Sequence, residues 1–313
     1  MENKEQNFVS AVIYVRNAEN RIAGFLETIM GVLEKHFEKS EIICVNDHSE
    51  DKSASVIRQV SGKAKNTTVT ILNMSYFHGL EIAMNAGMDL AIGDFVLEFD
   101  SATQDFSQEE IMRVYRKSLE GFDIVSASPD KRQKLSSRLF YYVFDKFSDF
   151  PYKFYTERFR ILSRRVINRI GSMNKSVPYR KAVYANCGLK TSNIRYEVCG
   201  ENGKTDRDRS EKRYRSGLAM DTLILFTEFG YRLSMSMTAI MMMVTVFMAV
   251  YALVIYILSK PVEGWTTTIL FLSFAFFGLF GILTIIVKYL QILVNLVFKR
   301  KRYSFESIEK LTK

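Results

Sequence analysis

The chain has 313 residues, which fits one or two domains, and a formal net charge of +9. Its three cysteines (Cys44, Cys187, Cys199) lack paired metal spacing and its three histidines are scattered, which argues against a zinc site. The basic residues gather beside apolar stretches without a recognition motif, so the charge does not point to a nucleic-acid partner.

The opening, MENKEQN, is polar and carries no apolar core of a cleaved signal. Residues 8–15 (FVSAVIYV) form a β-branched apolar run, expected to be a buried strand. A helix is expected from Asn20 to about Phe37, where Ile22, Phe25, Leu26, Ile29, Met30 and Leu33 recur at spacings of three and four. A second strand (EIICV, 41–45) ends in the polar turn NDHSED. A helix near 51–60, a strand at 68–72, a helix at 79–92, a strand at 93–99 and a helix at 107–119 follow. Strands alternating with helices imply a mostly parallel sheet, in which ligands bind beyond the C-terminal strand ends. Two acidic loops, NDHSED and DSATQD, fall at such ends and mark the expected active site.

From about residue 129 the pattern changes to aromatics among basic groups, expected to be either core or a lipid-adjacent surface. FRILSRRVINRI (159–170) is expected to be helical, and GENGKTDRD (200–208) is the most loop-like stretch. Two stretches then lack charge altogether, one between Arg232 and Lys260 and one between Glu263 and Lys288. About 20 helical residues cross a hydrocarbon core of about 30 Å, so the pair reads as a helical hairpin that crosses a membrane and returns. The cluster KRKR (299–302) puts the C-terminus, and with it the N-terminal domain, on the cytosolic face, where the thiols stay reduced. The organisation expected is a domain over 1–230, two spans over 231–290 and a basic cytosolic tail over 291–313. YLQILVNLVFKRKR is expected to lie along the membrane interface.

Five motifs in order carry a resemblance. VIYVRNAE closes the first strand, VNDHSEDKSA follows the second, and DSATQDFSQE follows the fourth; FRILSRR (159–165) and RDRSEKRY (207–214) come later. In this order, and with the hairpin, the chain resembles family 2 glycosyltransferases. Among these it is most similar to membrane-anchored enzymes that move a sugar from a nucleotide onto polyprenyl phosphate. The resemblance implies an α/β GT-A (Rossmann-like) fold and an inverting transfer at the cytosolic face of the inner membrane, feeding cell-envelope or surface-polysaccharide synthesis. It also implies a homo-tetramer.

By the same resemblance Tyr14, Arg16, Asn46, Asp47 and Asp100 are expected to bind the nucleotide. The Asp47 carboxylate suits a ring N–H of uracil or guanine. Asp100 and Asp105 are the expected catalytic carboxylates, and Asp100, Gln104 and Asp105 the expected ligands of Mg²⁺ or Mn²⁺, which would stabilise charge on the leaving diphosphate. The chain departs from the pattern where the second aspartate of the DxD motif is Ala102; Glu98 or Asp105 could compensate. Further departures are Tyr14, Arg16, Asn46 and Arg158. A phosphate monoester is already an oxyanion near neutral pH, so the acceptor needs holding more than it needs a base. Arg132, Ser137 and Arg138 in KRQKLSSR, with Arg160, Ser163 and Arg164 in FRILSRR, are expected to hold it, and Arg207 and Arg213 the donor diphosphate. Two other readings stay open: an acceptor that is the hydroxyl of a lipid-linked saccharide, which would need a base, and a membrane scaffold that has lost catalysis.

Overall fold

In the computed structural model of the chain, the described residues are 4–130, 142, 156–172, 179–199, 214, 217–218, 221, 236–237, 240–241, 243–244, 247, 265–298 and 304–312. They divide into two compact units: 1–141, 150–218 and 299–313 in one, 142–149 and 219–298 in the other.

The first unit is built on an eight-stranded sheet. Its elements are β1 (Val9–Val15), α1 (Glu19–His36), β2 (Ser40–Asn46), α2 (Ser53–Ser61), β3 (Thr67–Met74), α3 (Leu80–Leu90), β4 (Phe95–Phe99), α4 (Gln108–Leu119), β5 (Ile124–Pro129), β6 (Phe159–Ser163), α5 (Arg164–Ser172), α6 (Arg180–Asn186), β7 (Thr191–Tyr196) and β8 (Phe305–Lys310). The strand order is β7-β5-β6-β4-β1-β2-β3-β8. β4, β1, β2 and β3 run parallel, as their alternation with helices requires. Every residue of β1 is buried, which accounts for a continuous apolar run in place of an alternating one. α1 buries each of the six apolar residues that define its periodicity. Full burial of a side chain of that size stabilises by about 1.5–3 kcal/mol. α3 lies close on the sheet at Gly87, where a Cβ would sit 2.5 Å from Val12 Cγ1 and Val45 Cγ2.

Two elements differ from the sequence expectation. The first half of FRILSRRVINRI is the strand β6, which enters antiparallel between β4 and β5; only Arg164–Ser172 is helical. Phe, Ile and Leu suit both structures, and the vacant edges of β4 and β5 decide for the strand. In addition, the tail is not simply a basic extension. β8 pairs antiparallel with the edge of β3. Arg58 grips Glu309 through Nε and Nη2, both at 2.8 Å, and Val69 N–H donates to Thr312 Oγ1 at 2.8 Å.

In the second unit, α7 (Trp265–Phe298) runs 34 residues without a break and includes Tyr289 to Phe298 of the segment expected to lie along an interface. Gly278 and Gly281 take Met241 and Met237 against their bare backbone. Lys288 pairs with Asp221 at 3.1 Å. Among the described residues no helix is long and apolar enough to cross a membrane. In the sequence of α7 the single charge is Lys288. Most of the first uncharged stretch lies outside the described residues.

Candidate active site

The C-terminal ends of β1, β2 and β4 lie on one edge of the sheet, and this edge carries the two acidic loops. At the ends of β1 and β2, Asn17 (φ 44°) and His48 (φ 52°) hold the left-handed backbone that non-glycine residues seldom adopt. The segments that follow β1 and β2 are laced together. Ser49 Oγ accepts from Asn17 N–H at 3.1 Å, and Glu50 N–H donates to Asn17 Oδ1 at 2.9 Å.

Asp47 sits beneath them with no exposed surface. Its Oδ1 accepts from the backbone N–H of His78 at 2.8 Å, and its Oδ2 from Gly79 N–H at 2.8 Å and Tyr14 Oη at 3.0 Å. Burial pushes the Asp47 carboxyl up from its ordinary value, against the pull of these hydrogen bonds. Gly79 has φ 84°, and a Cβ there would meet the Tyr214 ring within 2.6 Å. Arg16 donates to the carbonyl oxygens of Asp47 and His48 and lies 4.7 Å from the centre of the Phe77 ring. Asn46 Nδ2 donates to Asn73 Oδ1 at 2.9 Å, and Asn73 in turn donates to Ser307 and Glu309 on β8. The structure thus brings Tyr14, Arg16, Asn46 and Asp47 together, but the side-chain oxygens of Asp47 already organise the β3–α3 turn.

A denser charge cluster lies at the end of β4. Glu98 stands directly opposite Arg160 in the β4–β6 register. Arg160, 1% exposed, donates from Nη1 to Glu98 Oε2 at 3.1 Å and from Nη2 to Asp100 Oδ2 at 2.8 Å. Arg180 donates from Nη1 to Glu98 Oε1 at 2.7 Å, from Nη2 to Asp100 Oδ1 at 2.8 Å, and from Nε to Glu81 Oε2 at 3.0 Å. Its backbone N–H, one of the unpaired donors at the start of α6, meets the same Glu81 oxygen at 2.9 Å. Tyr184 Oη completes Glu98 at 2.7 Å. Burial alone would raise the Asp100 carboxyl, but Arg160, Arg180 and Lys181 hold it well below the usual carboxylate range.

The structure gives the other expected site residues these surroundings. Arg160 is locked in this buried cluster and has no free face for an acceptor phosphate. Ser163 and Arg164 lie at the opposite end of β6, beside Phe95, about 14 Å along the strand from Phe159. Ser163 Oγ donates to Asp123 Oδ1, and Arg164 donates to the carbonyl oxygens of Ala91 and Gly93; both tie the far end of the sheet together. Asp105 is buried between Arg158 Nε at 2.7 Å and Tyr196 Oη at 2.9 Å, and Gln104 Oε1 accepts from Thr28 at 3.0 Å. Ala102 is 5% exposed and belongs to the buried apolar cluster that includes Phe99 and Phe106. Glu98, the alternative ligand, has no exposed surface. Among the described residues no group of three His, Cys, Asp or Glu is placed to hold a metal ion. The donor set does not fit a divalent cation, because each expected oxygen already faces a guanidinium, a hydroxyl or the core. Arg132, Ser137, Arg138, Arg207 and Arg213 lie outside the described residues.

Arg180, Glu81 and Tyr184 did not stand out in the sequence. The available signal was a pair of carboxylates two residues apart, Glu98 on β4 and Asp100 just past its end, which call for cations if both are buried.

Residues 10–174, more than half of the chain, match glycosyl transferase family 2. The chain belongs to this family. Its relatives include an uncharacterised glycosyltransferase of Synechocystis sp., 30% identical over 60% of each chain. The prophage bactoprenol glucosyl transferase homologue of Escherichia coli is 26% identical over 72% of this chain and 74% of its own. The undecaprenyl-phosphate 4-deoxy-4-formamido-L-arabinose transferase of Aeromonas hydrophila is 31% identical over 42% of this chain and 40% of its own. A mannosyltransferase of Pyrobaculum calidifontis, solved in complex with GDP-Man and Mn²⁺, covers 89% of this chain and 88% of its own at 14% identity and a TM-score of 0.47. In this family 2 glycosyltransferase the two acidic loops lie at the C-terminal edge of the parallel strands, and Asp47, Asp100 and Asp105 are each held by partners within the chain, whereas Glu50 is exposed.

Proposed function

We propose that the protein transfers one sugar from a nucleotide donor to a polyprenyl phosphate at the cytosolic face of a membrane. The observation that carries this reading is membership of family 2, together with relatives named for bactoprenol and undecaprenyl phosphate. The acceptor phosphate oxygen would attack the anomeric carbon. A new C–O–P linkage would form with inversion as the bond to the donor diphosphate breaks, and the nucleoside diphosphate would leave. The acceptor is already anionic, so the step asks the protein for positioning more than for a general base. The edge where Tyr14, Arg16 and Asn46 gather is the proposed donor pocket.

The membrane arrangement is part of the same proposal. Its support is the pair of uncharged stretches and a topological fact. The compact unit that holds the sheet lacks 219–298 but includes 299–313, and β8 joins the same sheet as β1. If the intervening segment crosses a bilayer, it must cross an even number of times.

The test offers purified protein in nanodiscs a panel of UDP-, GDP- and CDP-linked sugars with short polyprenyl phosphate. Butanol-extractable labelled sugar that depends on the lipid phosphate is the expected result, and it names the donor. Binding of nucleotide with transfer only to a lipid-linked saccharide would move the acceptor to a hydroxyl. Neither binding nor transfer would favour the scaffold reading, whose support is Ala102.

A further inference from the structure

Divalent cations seek hard oxygens that are not already neutralised, and Mg²⁺ needs a near-octahedral shell at about 2.1 Å. The loop from Asp100 to Asp105 is where such oxygens would be expected. Both oxygens of Asp100 accept from guanidiniums at 2.8 Å, one from Arg160 and one from Arg180. A dication on either oxygen would sit beside a fixed positive charge. The clamp cannot open cheaply, because the same two guanidiniums also hold Glu98 in the buried interior. Asp105 is paired with Arg158 and Tyr196, and the position between the two aspartates is Ala102, turned into the apolar core.

We propose that this chain binds its nucleotide donor without a divalent cation, and that Asp100 is the counter-ion that positions Arg160 and Arg180. The existence of a donor pocket rests on the function proposed above; the state of the carboxylate does not. Arg160 and Arg180 then tie β4, β6, α3 and α6 together beside the pocket. Asp100 is in this account a positioning residue, and the charge of the donor diphosphate falls to protein cations.

The test is calorimetry of UDP, GDP and CDP with the full-length protein in detergent, in EDTA and in excess MnCl₂. A dissociation constant that agrees within about twofold is expected, and tightening by about tenfold or more with Mn²⁺ overturns the proposal. Electron paramagnetic resonance of Mn²⁺ added to the protein alone gives a second readout. An unchanged free-ion signal is expected, and a saturable site that disappears in Asp100→Asn overturns the proposal. Melting curves add a third. Asp100→Asn should lower the Tm equally with and without Mn²⁺, whereas loss of a Mn²⁺-dependent rise present in the parent would identify a ligand. If no nucleotide binds under any condition, the function proposed above fails. The resonance and melting measurements then still decide the state of Asp100.

Discussion

Arg180 Nη2 lies 2.8 Å from Asp100 Oδ1, and Nη1 of the same guanidinium reaches Glu98 two residues earlier on β4. A fork of this shape can bridge a carboxylate on a strand and one just past its end, and a lysine ammonium cannot do so with the same geometry. Arg180→Ala is expected to cost about 3–5 kcal/mol of stability, because it strands buried carboxylates. Arg180→Lys should recover only part of that. Urea unfolding of the three proteins measures both, and equal stability of Arg180→Lys and the parent would show that charge alone suffices.

Ala102→Asp recreates the family's second aspartate, but in the apolar core. The expected outcome is loss of several kcal/mol of stability, with no gain in Mn²⁺ affinity, since an unpaired carboxylate is being buried. Thermal denaturation with and without MnCl₂ checks it. A stabilised variant that binds Mn²⁺ would mean that the loop can turn outward.

Arg164 binds carbonyl oxygens at the end of the sheet opposite the acidic loops. Arg164→Ala should destabilise by about 1–3 kcal/mol by leaving those acceptors unmet. The KM for lipid phosphate should stay unchanged. A raised KM with normal stability would restore Arg164 to the acceptor site.

The Asp100 carboxyl is depressed in the folded state, so its contribution is fully present above its unfolded value of 3.8 and is lost as pH falls below it toward the folded value. The gap in urea midpoint between the parent and Asp100→Asn should therefore be widest near neutral pH and narrow below about pH 4. A gap that widens on acidification would contradict the ion pairs with Arg160 and Arg180.

Arg58 and Glu309 join α2 to the last strand through a half-exposed fork. A double-mutant cycle should give a coupling of about 0.5–1 kcal/mol, reduced by salt. Removing residues 304–313 should do more harm than that pair accounts for. It bares the edge of β3, and aggregation measured by light scattering is the expected result.

The sequence by itself determined the alternating strands and helices from Val9 to Leu119, because the period of apolar residues follows from the geometry of each element. It also determined which loops carry the acidic motifs, and the motif order that marks the family. It did not determine β6 or β8. FRILS and FESIEK gain their ladders from β4, β5 and β3, partners far away in the chain, and no local period reports those. Nor could it tell which acidic side chains face a ligand. Asp100, Asp105 and Glu98 read as exposed chemistry until Arg158, Arg160 and Arg180, from the approach to β6, β6 itself and α6, arrive against them. Whether a carboxylate meets a metal or a guanidinium depends on what folds onto it, and only the tertiary structure supplies that neighbour.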